Sequence, residues 1–243
     1  MNKTRSSGGI KMEAPITDYT NYKHNITYRN KHKLAPQWPF RLIICGPSGC
    51  GKTNLLLNLI YDYLHFNKLY LYAKMLDEDK YQELQEVFEA MQEHAYKKYG
   101  EDVDELAVFH SSLDEVEPID DLDENKQNLV VFDDFINEKS QTAVYDYFTM
   151  GRKKNCSVIY ISHSYFDTPK IIRINSNYVA IFNFQNKSEI SLFKKEFSLG
   201  ISNEEFQRKY QDIVNKPHNF LLIDKGNSDP ELKYRRNLDN KIR

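Results

Sequence analysis

The chain has 243 residues, of which 40% are apolar and 28% charged, with 9 Gly and 8 Pro. This composition excludes a collagen-like, low-complexity or wholly disordered protein, and no uncharged apolar run approaches the ~20 residues that span a bilayer. Three cysteines without zinc-binding spacing (Cys45, Cys50 and Cys156) favour a reducing compartment, and we expect no secretory signal at the start.

The net charge of −2 conceals a strong segregation of charge along the chain. Residues 1–41 carry 8 Lys/Arg and 2 Asp/Glu, whereas residues 76–124 carry 3 Lys/Arg and 18 Asp/Glu. The average charge therefore does not exclude a polyanionic partner. We interpret 76–124 as an acidic, solvent-exposed insertion.

Residues 1–38 lack helical or alternating periodicity and predict a flexible basic arm. A short Ile-rich run at 41–45 ends at Gly46-Pro47 and predicts a buried strand. From Lys52 to about Asn67 the apolar residues have helical spacing.

The remaining chain alternates between the two kinds of element. Further strands are predicted at 68–73, 106–110, 129–132, 157–161, 178–184 and 219–223. Helices are predicted at 77–98, 139–150 and 203–214, the last with Ser202 and Glu205 as a capping box. This order indicates a three-layer α/β fold with a mostly parallel sheet, forming one domain over 39–225 and a disordered basic tail at 226–243.

The loop between the first strand and helix matches the phosphate-binding pattern G-x-x-x-x-G-K-[ST]. Its glycines allow backbone N–H groups to surround phosphate oxygens, while the following helix directs its positive end toward them. We expect ATP to be held by Gly46, Pro47, Ser48, Gly49, Cys50, Gly51, Lys52, Thr53 and Asn54. Lys52 would contact the β- and γ-phosphates, and the Thr53 hydroxyl would coordinate Mg²⁺.

Two acidic residues follow the predicted strand at 129–132. Asp133 is predicted to hold Mg²⁺, and Asp134 to polarise the attacking water as general base. The next strand ends near His163, a candidate sensor of the γ-phosphate, with a hydrogen-bonded histidine at a strand end as the alternative.

Arg152 and Arg173 are candidates for an arginine that stabilises the transferred phosphate of a neighbouring subunit. A surface or DNA-contacting arginine is the alternative for each. Basic residues at 152–154, in the tail and in the arm are candidates for sequence-independent DNA contacts, with a solvated basic surface as their alternative.

The motifs at residues 39–60, 130–135 and 160–178 resemble the poxvirus-type genome-packaging ATPases of large DNA viruses and virophages, within the FtsK–HerA superfamily. The resemblance covers about 39–185 and rests most on the stretch 164–177, which begins Ser-Tyr-Phe-Asp-Thr-Pro and ends Arg-Ile-Asn-Ser-Asn. It implies an additional-strand P-loop ATPase with the roles given above for Lys52, Thr53, Asp133 and Asp134. Two departures are Asp at position 134, where the superfamily commonly has Glu, and His163, where many relatives have Gln.

The resemblance further implies a homo-oligomeric, usually hexameric, ring that moves double-stranded DNA into a preformed capsid. Expected partners are this DNA and capsid or membrane-associated capsid components, and the expected location is the host cytoplasm or viral factory, including the virion. The acidic block would then face away from the DNA path, and its deletion would leave basal ATP hydrolysis largely intact. Three alternatives remain: a nucleoside or nucleotide kinase, a scaffold that binds ATP without hydrolysing it, and a helicase or translocase outside packaging.

Overall fold

The computed structural model describes residues 30–100, 103–184, 186–198, 201–238 and 240–241. Short strands rich in β-branched and aromatic residues form its framework. In chain order these are β1 (Arg41–Cys45), β2 (Lys68–Ala73), β3 (Ala107–His110), β4 (Asn128–Asp133), β5 (Cys156–Ser162), β6 (Tyr178–Ile181), β7 (Leu221–Asp224), β8 (Tyr234–Arg236) and β9 (Asn240–Lys241).

Seven α-helices connect or follow these strands in the described ranges. They are α1 (Lys52–Asn58), α2 (Asp79–Tyr99), α3 (Thr142–Met150), α4 (Lys170–Asn175), α5 (Lys187–Phe197), α6 (Asn203–Val214) and α7 (Pro230–Lys233). Helix α1 continues into a π-helical turn at Leu59–Tyr63, and a 3₁₀ turn at Gly151–Lys154 precedes β5. The helix predicted to reach Asn67 ends at Tyr63, because Leu64 has extended backbone.

The strands form one sheet in the order β3-β2-β4-β5-β1-β6-β7-β8-β9. From β3 to β6 every neighbouring pair is parallel, and from β6 to β9 every pair is antiparallel. The register places Cys45 opposite Ser162 and Ala73 opposite Asp133. The carboxyl ends of β1, β2, β4 and β5 therefore meet at one edge of the sheet, which we call the carboxyl edge.

Helices cover both faces of the sheet and produce three layers. On one face, α1 and α2 pack against the strands through buried residues such as Leu56 and Leu84. On the other, α3, α4, α5 and α6 pack through residues that include Phe148, Ile172 and Phe193. The predicted three-layer α/β fold with a mostly parallel sheet is confirmed.

Several elements differ from the sequence-based expectations. Helix α5 was not predicted, although Asn186 provides an N-cap by accepting a 2.9 Å hydrogen bond from the Ser188 N–H. The capping box of α6 is present, since Ser202 Oγ accepts from the Glu205 N–H at 3.1 Å.

The acidic segment 76–124 is integral to the sheet and to one helical layer. Its described part contains α2 and β3, and β3 pairs with β2 at the edge of the sheet. Tyr81, Leu84 and Phe88 of α2 are buried, because they form the apolar face of a helix whose other face is charged. The description of this segment as an exposed insertion is corrected accordingly.

The predicted boundaries of the domain are also corrected. Strand β8 lies inside the predicted tail, and Tyr234 and Arg235 are buried because β8 pairs with β7. Trp38 lies inside the predicted arm, yet it is buried and its indole donates a 2.8 Å hydrogen bond to Asn155 Oδ1. Residues 30–38 of the predicted arm are thus described and include buried Ala35, whereas residues 1–29 lie outside the described residues.

Candidate functional site

The phosphate-binding loop leaves β1 at the carboxyl edge and enters α1. Gly49 and Gly51 have φ values of 72° and 113°, in the left-handed region that glycine adopts at little cost. Gly46 permits close packing, since a Cβ at this position would lie 2.6 Å from Phe182 Cβ. The loop conformation thus depends on glycines at the positions that the motif prescribes.

Lys52 is buried, and its ammonium group is bound by its own loop. Nζ donates to the carbonyls of Gly46 at 2.9 Å and Pro47 at 3.1 Å, and lies 3.3 Å from His163 Nδ1. These contacts use all three donors of the ammonium group. A phosphate that contacts Lys52 would replace some of them.

Asp133 ends β4 beside the loop, and Tyr81 of α2 donates a short hydrogen bond to its Oδ2. The Thr53 side chain lies within hydrogen-bonding reach of the same tyrosine hydroxyl. Thr53 and Asp133 therefore line the same cavity beside Tyr81. Oxygen donors of this kind suit Mg²⁺, which takes its remaining ligands from phosphates and water, so the residues present fit this cation.

Burial, together with the neighbouring carboxylates of Asp134 and Glu78, raises the pKa of Asp133 to about 6. The Tyr81 hydrogen bond and the Lys52 ammonium act in the opposite direction. Because a nearby cation favours the ionised carboxylate, this acid is matched to a positively charged ligand.

Asp134 and His163 lie side by side at the ends of β4 and β5. Asp134 adopts φ 62°, and its N–H donates to the Ile161 carbonyl at 3.3 Å. Its Oδ1 is 3.5 Å from His163 Nε2. Since the Lys52 ammonium can only donate, His163 Nδ1 accepts and Nε2 carries the proton toward Asp134. A continuous series of polar contacts thus joins Lys52, His163 and Asp134.

A cavity of about 370 Å³ opens over these groups. Its lining includes Ser48, Gly49, Gly51, Lys52, Thr53, Asn54, Asp133, Asp134 and His163. Of the predicted nucleotide ligands, Gly46, Pro47 and Cys50 are absent from the lining; the first two direct their carbonyls at Lys52. The geometry therefore brings together most of the residues that the sequence selected.

A second cavity, of about 490 Å³, adjoins the first and shares Gly51, Asn54 and His218 with it. Phe182 and Phe220 add aromatic surface to its wall. His218 Nδ1 lies 3.2 Å from the Cys50 carbonyl, so this imidazole stands where the two cavities meet.

Arg152 and Arg173 are not part of this site within one chain. Arg152 precedes β5 and so lies near the start of the parallel strands, at what we call the amino edge. Arg173 lies in α4, with its guanidinium over the rings of Tyr165 and Phe166, and neither arginine lines the cavity. Arg173 is engaged internally: Nε donates to the Thr168 carbonyl at 3.0 Å, and NH1 lies 3.6 Å from Glu196 Oε2.

Sequence reasoning missed several residues that line the first cavity: Lys74, Met75, Glu78, Lys80, Tyr81 and His218. Lys74 and Met75 follow β2, so the rule that parallel strands end at a shared edge could have identified them. Tyr81 and His218 carry no comparable signal, because they reach the site through packing between distant segments.

In the described part of the chain, no helix combines the length and apolar character needed to cross a membrane.

The chain matches the family of the Poxvirus A32 protein over residues 28–221, and no curated protein matches it significantly. Among solved structures, it is similar to the genome packaging NTPase B204 from Sulfolobus turreted icosahedral virus 2. The complex with ATP-gammaS is 10% identical, with a TM-score of 0.52 over 85% of this chain and 100% of that chain. The AMP complex is 11% identical, with a TM-score of 0.51 over 82% and 96%. At these identities the likeness establishes a shared fold.

Proposed function

Because the chain belongs to the poxvirus A32 protein family, we propose that it is a genome-packaging ATPase that couples ATP hydrolysis to movement of double-stranded DNA into a capsid. The observation that carries the proposal is the convergence of Lys52, Asp133 and Asp134 beside the phosphate-binding loop. The structural neighbour B204 is itself described as a genome packaging NTPase and was solved with ATP-gammaS.

The proposed nucleotide position follows from the cavities. The phosphates lie against the backbone N–H groups of the loop and against Lys52, which releases its contacts with the Gly46 and Pro47 carbonyls. The nucleoside enters the adjoining cavity, where His218 and Phe182 supply flat apolar surface for a base.

Mg²⁺ would be held by Thr53 and Asp133, and when bound it would neutralise charge on the phosphates. Asp134 orients and deprotonates the attacking water, for which its partly exposed carboxylate is well placed beside the cavity. His163 contacts both Lys52 and Asp134, so it can transmit the loss of the γ-phosphate from one to the other.

As a motor, the protein forms a homo-oligomeric ring, expected to be a hexamer, that binds double-stranded DNA independently of sequence and docks on capsid components. Its proposed location is the host cytoplasm or viral factory, with the virion as a further site. In such a ring Arg152 or Arg173 would act on the nucleotide of a neighbouring subunit, because neither lines the nucleotide cavity of its own chain.

The test is ATP hydrolysis by the purified protein, with and without duplex DNA, beside the Lys52→Ala and Asp134→Asn variants. We expect Lys52→Ala to weaken nucleotide binding, and Asp134→Asn to retain binding while turnover falls about 10²-fold or more. Asp114→Asn, in an exposed turn far from the loop in sequence, is the control. Unchanged turnover in Asp134→Asn would contradict its role as base, and phosphate transfer to a nucleoside would favour a kinase instead.

A further inference from the structure

A polar cavity of about 430 Å³ lies at the amino edge of the sheet, opposite the phosphate-binding loop. Two arginines, Arg41 and Arg152, line it together with Trp38, Asn177, Asp224 and Asn227. Because β1 and β5 run in parallel, the residues that begin them share this edge. The cavity is thus separated from the nucleotide site by the length of the central strands.

Arg41 begins β1 and is fixed by its backbone. Its N–H donates to Asn177 Oδ1 at 2.7 Å, and its carbonyl accepts from the Asn177 N–H at 3.0 Å. The guanidinium is partly buried, and its Nε is fully buried with no hydrogen-bond partner. Nε itself is too deeply buried to reach a ligand, but no described residue accepts a hydrogen bond from the other guanidinium nitrogens, so those that face the cavity can donate to an added acceptor.

Arg152 is presented by the 3₁₀ turn at Gly151–Lys154. The turn ends at Asn155, which adopts φ 50° and accepts the Trp38 indole hydrogen bond through its side chain. This hydrogen bond fixes the turn to the segment that precedes β1. Burial lowers the pKa of the Arg41 guanidinium, and the charge of nearby Arg152 also lowers it.

Neither arginine has a counter-charge in the part of the chain that the structure describes: no carboxylate oxygen lies within 4.0 Å of either guanidinium. Asp224 lines the same cavity, but its carboxylate interacts with the Gly226 N–H at 3.1 Å and with the Tyr178 side chain. Apart from Asp224, whose carboxylate has these partners, no described acidic residue lines the cavity that the two arginines share.

We propose that Arg41 and Arg152 together bind one phosphate of the nucleic-acid backbone. Guanidinium groups present planar, paired donors that match phosphate oxygens, and two of them around one anion remove their mutual repulsion. A backbone contact of this kind is independent of base sequence. This inference rests on the proposed function, and its position at the amino edge allows nucleotide and nucleic acid to be bound at the same time.

The experiment measures the affinity for a fluorescently labelled duplex of random sequence, by anisotropy over a series of salt concentrations. The variants are Arg41→Gln, Arg152→Gln and the double variant, with Lys153→Gln as the matched control, because Lys153 is an exposed cation in the same turn. Melting curves and the binding of a fluorescent ATP analogue by Arg41→Gln establish that the fold is retained.

We expect each single variant to weaken duplex binding roughly tenfold and to reduce the slope of log affinity against log salt by about 0.9, the value for one phosphate contact. The double variant should lose no more of the slope than either single variant, because both arginines serve the same phosphate. Lys153→Gln should change the slope much less.

Three results would overturn the proposal. An effect of Lys153→Gln equal to that of Arg152→Gln would indicate a diffuse basic surface. Unchanged duplex affinity in Arg152→Gln with lost hydrolysis would assign this arginine to a neighbour's nucleotide. A wild-type protein that hydrolyses ATP but binds no duplex would overturn the phosphate site and leave the ATPase, whereas absence of both activities would overturn the proposed function itself.

Discussion

Asp133 and Tyr81 are the two residues whose chemistry depends most on their surroundings. Burial makes ionisation of the Asp133 carboxyl group less favourable, and the Tyr81 hydroxyl donates a hydrogen bond to this group. Each can be tested by a substitution that removes one functional group and leaves the shape of the side chain nearly unchanged.

We expect Tyr81→Phe to raise the half-saturating Mg²⁺ concentration for hydrolysis about three- to tenfold, because the Asp133 carboxylate loses the hydrogen bond that orients it. The aromatic ring still fills its buried position, so the melting temperature should change little. The measurement is turnover against Mg²⁺ at saturating ATP. Tyr99→Phe, an exposed tyrosine at the end of the same helix, is the control. Equal Mg²⁺ dependence in both variants would show that Tyr81 does not position Asp133.

The raised pKa of Asp133 also leads us to expect that the stability of the fold depends on pH. Its pKa in the folded protein, about 6, exceeds the ordinary value of 3.8, so the folded state binds the proton more tightly than the unfolded state. The ionised carboxylate therefore lowers stability above pH 6, and this penalty disappears as the pH falls toward 4. We expect Asp133→Asn to increase the free energy of unfolding by roughly 1–3 kcal/mol at pH 8 and by about 0.5 kcal/mol or less at pH 4.

The measurement is urea denaturation at both pH values without Mg²⁺ or nucleotide. Asp77→Asn, which alters an exposed aspartate, serves as the control. A stabilisation by Asp133→Asn of the same size at both pH values would contradict the link to the titration of this carboxylate.

Helix α2 shows how an element can be acidic in composition and still belong to the core. Its charged residues face solvent, while Tyr81, Leu84 and Phe88 are buried against the sheet. The helix also supplies Tyr81 to the candidate site. Deletion of 76–124 would therefore remove a cavity wall and the neighbour of β2, and we now expect it to abolish hydrolysis.

A milder test of α2 is Leu84→Ala. Leu84 is completely buried, so the truncation should lower the free energy of unfolding by about 2–4 kcal/mol through lost burial and the resulting cavity. Met91→Ala, at a position on the same helix that is 51% exposed, should cost less than about 0.5 kcal/mol. Chemical denaturation measures both, and equal effects would place α2 outside the core.

At the scale of the whole molecule, two segments far apart in the described chain, near residues 35 and 235, contact each other. Arg235 of β8 donates through NH1 to the Leu34 carbonyl at 2.8 Å and the Leu238 carbonyl at 2.9 Å. Buried Leu238 belongs to the same apolar cluster as Ala35 and Trp38. Residues near 35 and residues near 235 thus stabilise one another, although both were predicted to lie outside the domain.

Removal of residues 234–243 should therefore lower the free energy of unfolding by at least about 3 kcal/mol. The reason is that β7 loses its pairing with β8 and that the burial of Tyr234 and Leu238 is lost. Thermal and urea denaturation provide the measurement. A chain that ends at Lys241 keeps β8 and is the control. Equal stability of the two truncated chains would mean that β8 does not contribute to the core.

Much of this architecture was predictable from local sequence patterns. The family resemblance inferred from 39–185 is confirmed by the match over 28–221, and the phosphate-binding loop with the strand before it and helix after it stands as predicted. These features are local. Glycines set the loop conformation, and runs of apolar residues indicate strands of a sheet that is covered by helices on both faces. Helix α5 had a local signal in the N-cap residue Asn186, which apolar periodicity does not reveal.

The sequence by itself determined the loop with the phosphate-binding pattern and the acidic pair Asp133-Asp134, because each motif is contiguous and is recognised by its residue types and spacing. Only the tertiary structure decided that Tyr81 bonds Asp133, that His163 joins Lys52 to Asp134, and that Arg41 meets Arg152 at the opposite edge. The physical reason is that the strand order and register bring these residues together from segments far apart in the chain. Composition shows that 76–124 is acidic, but only packing shows which face of α2 is buried.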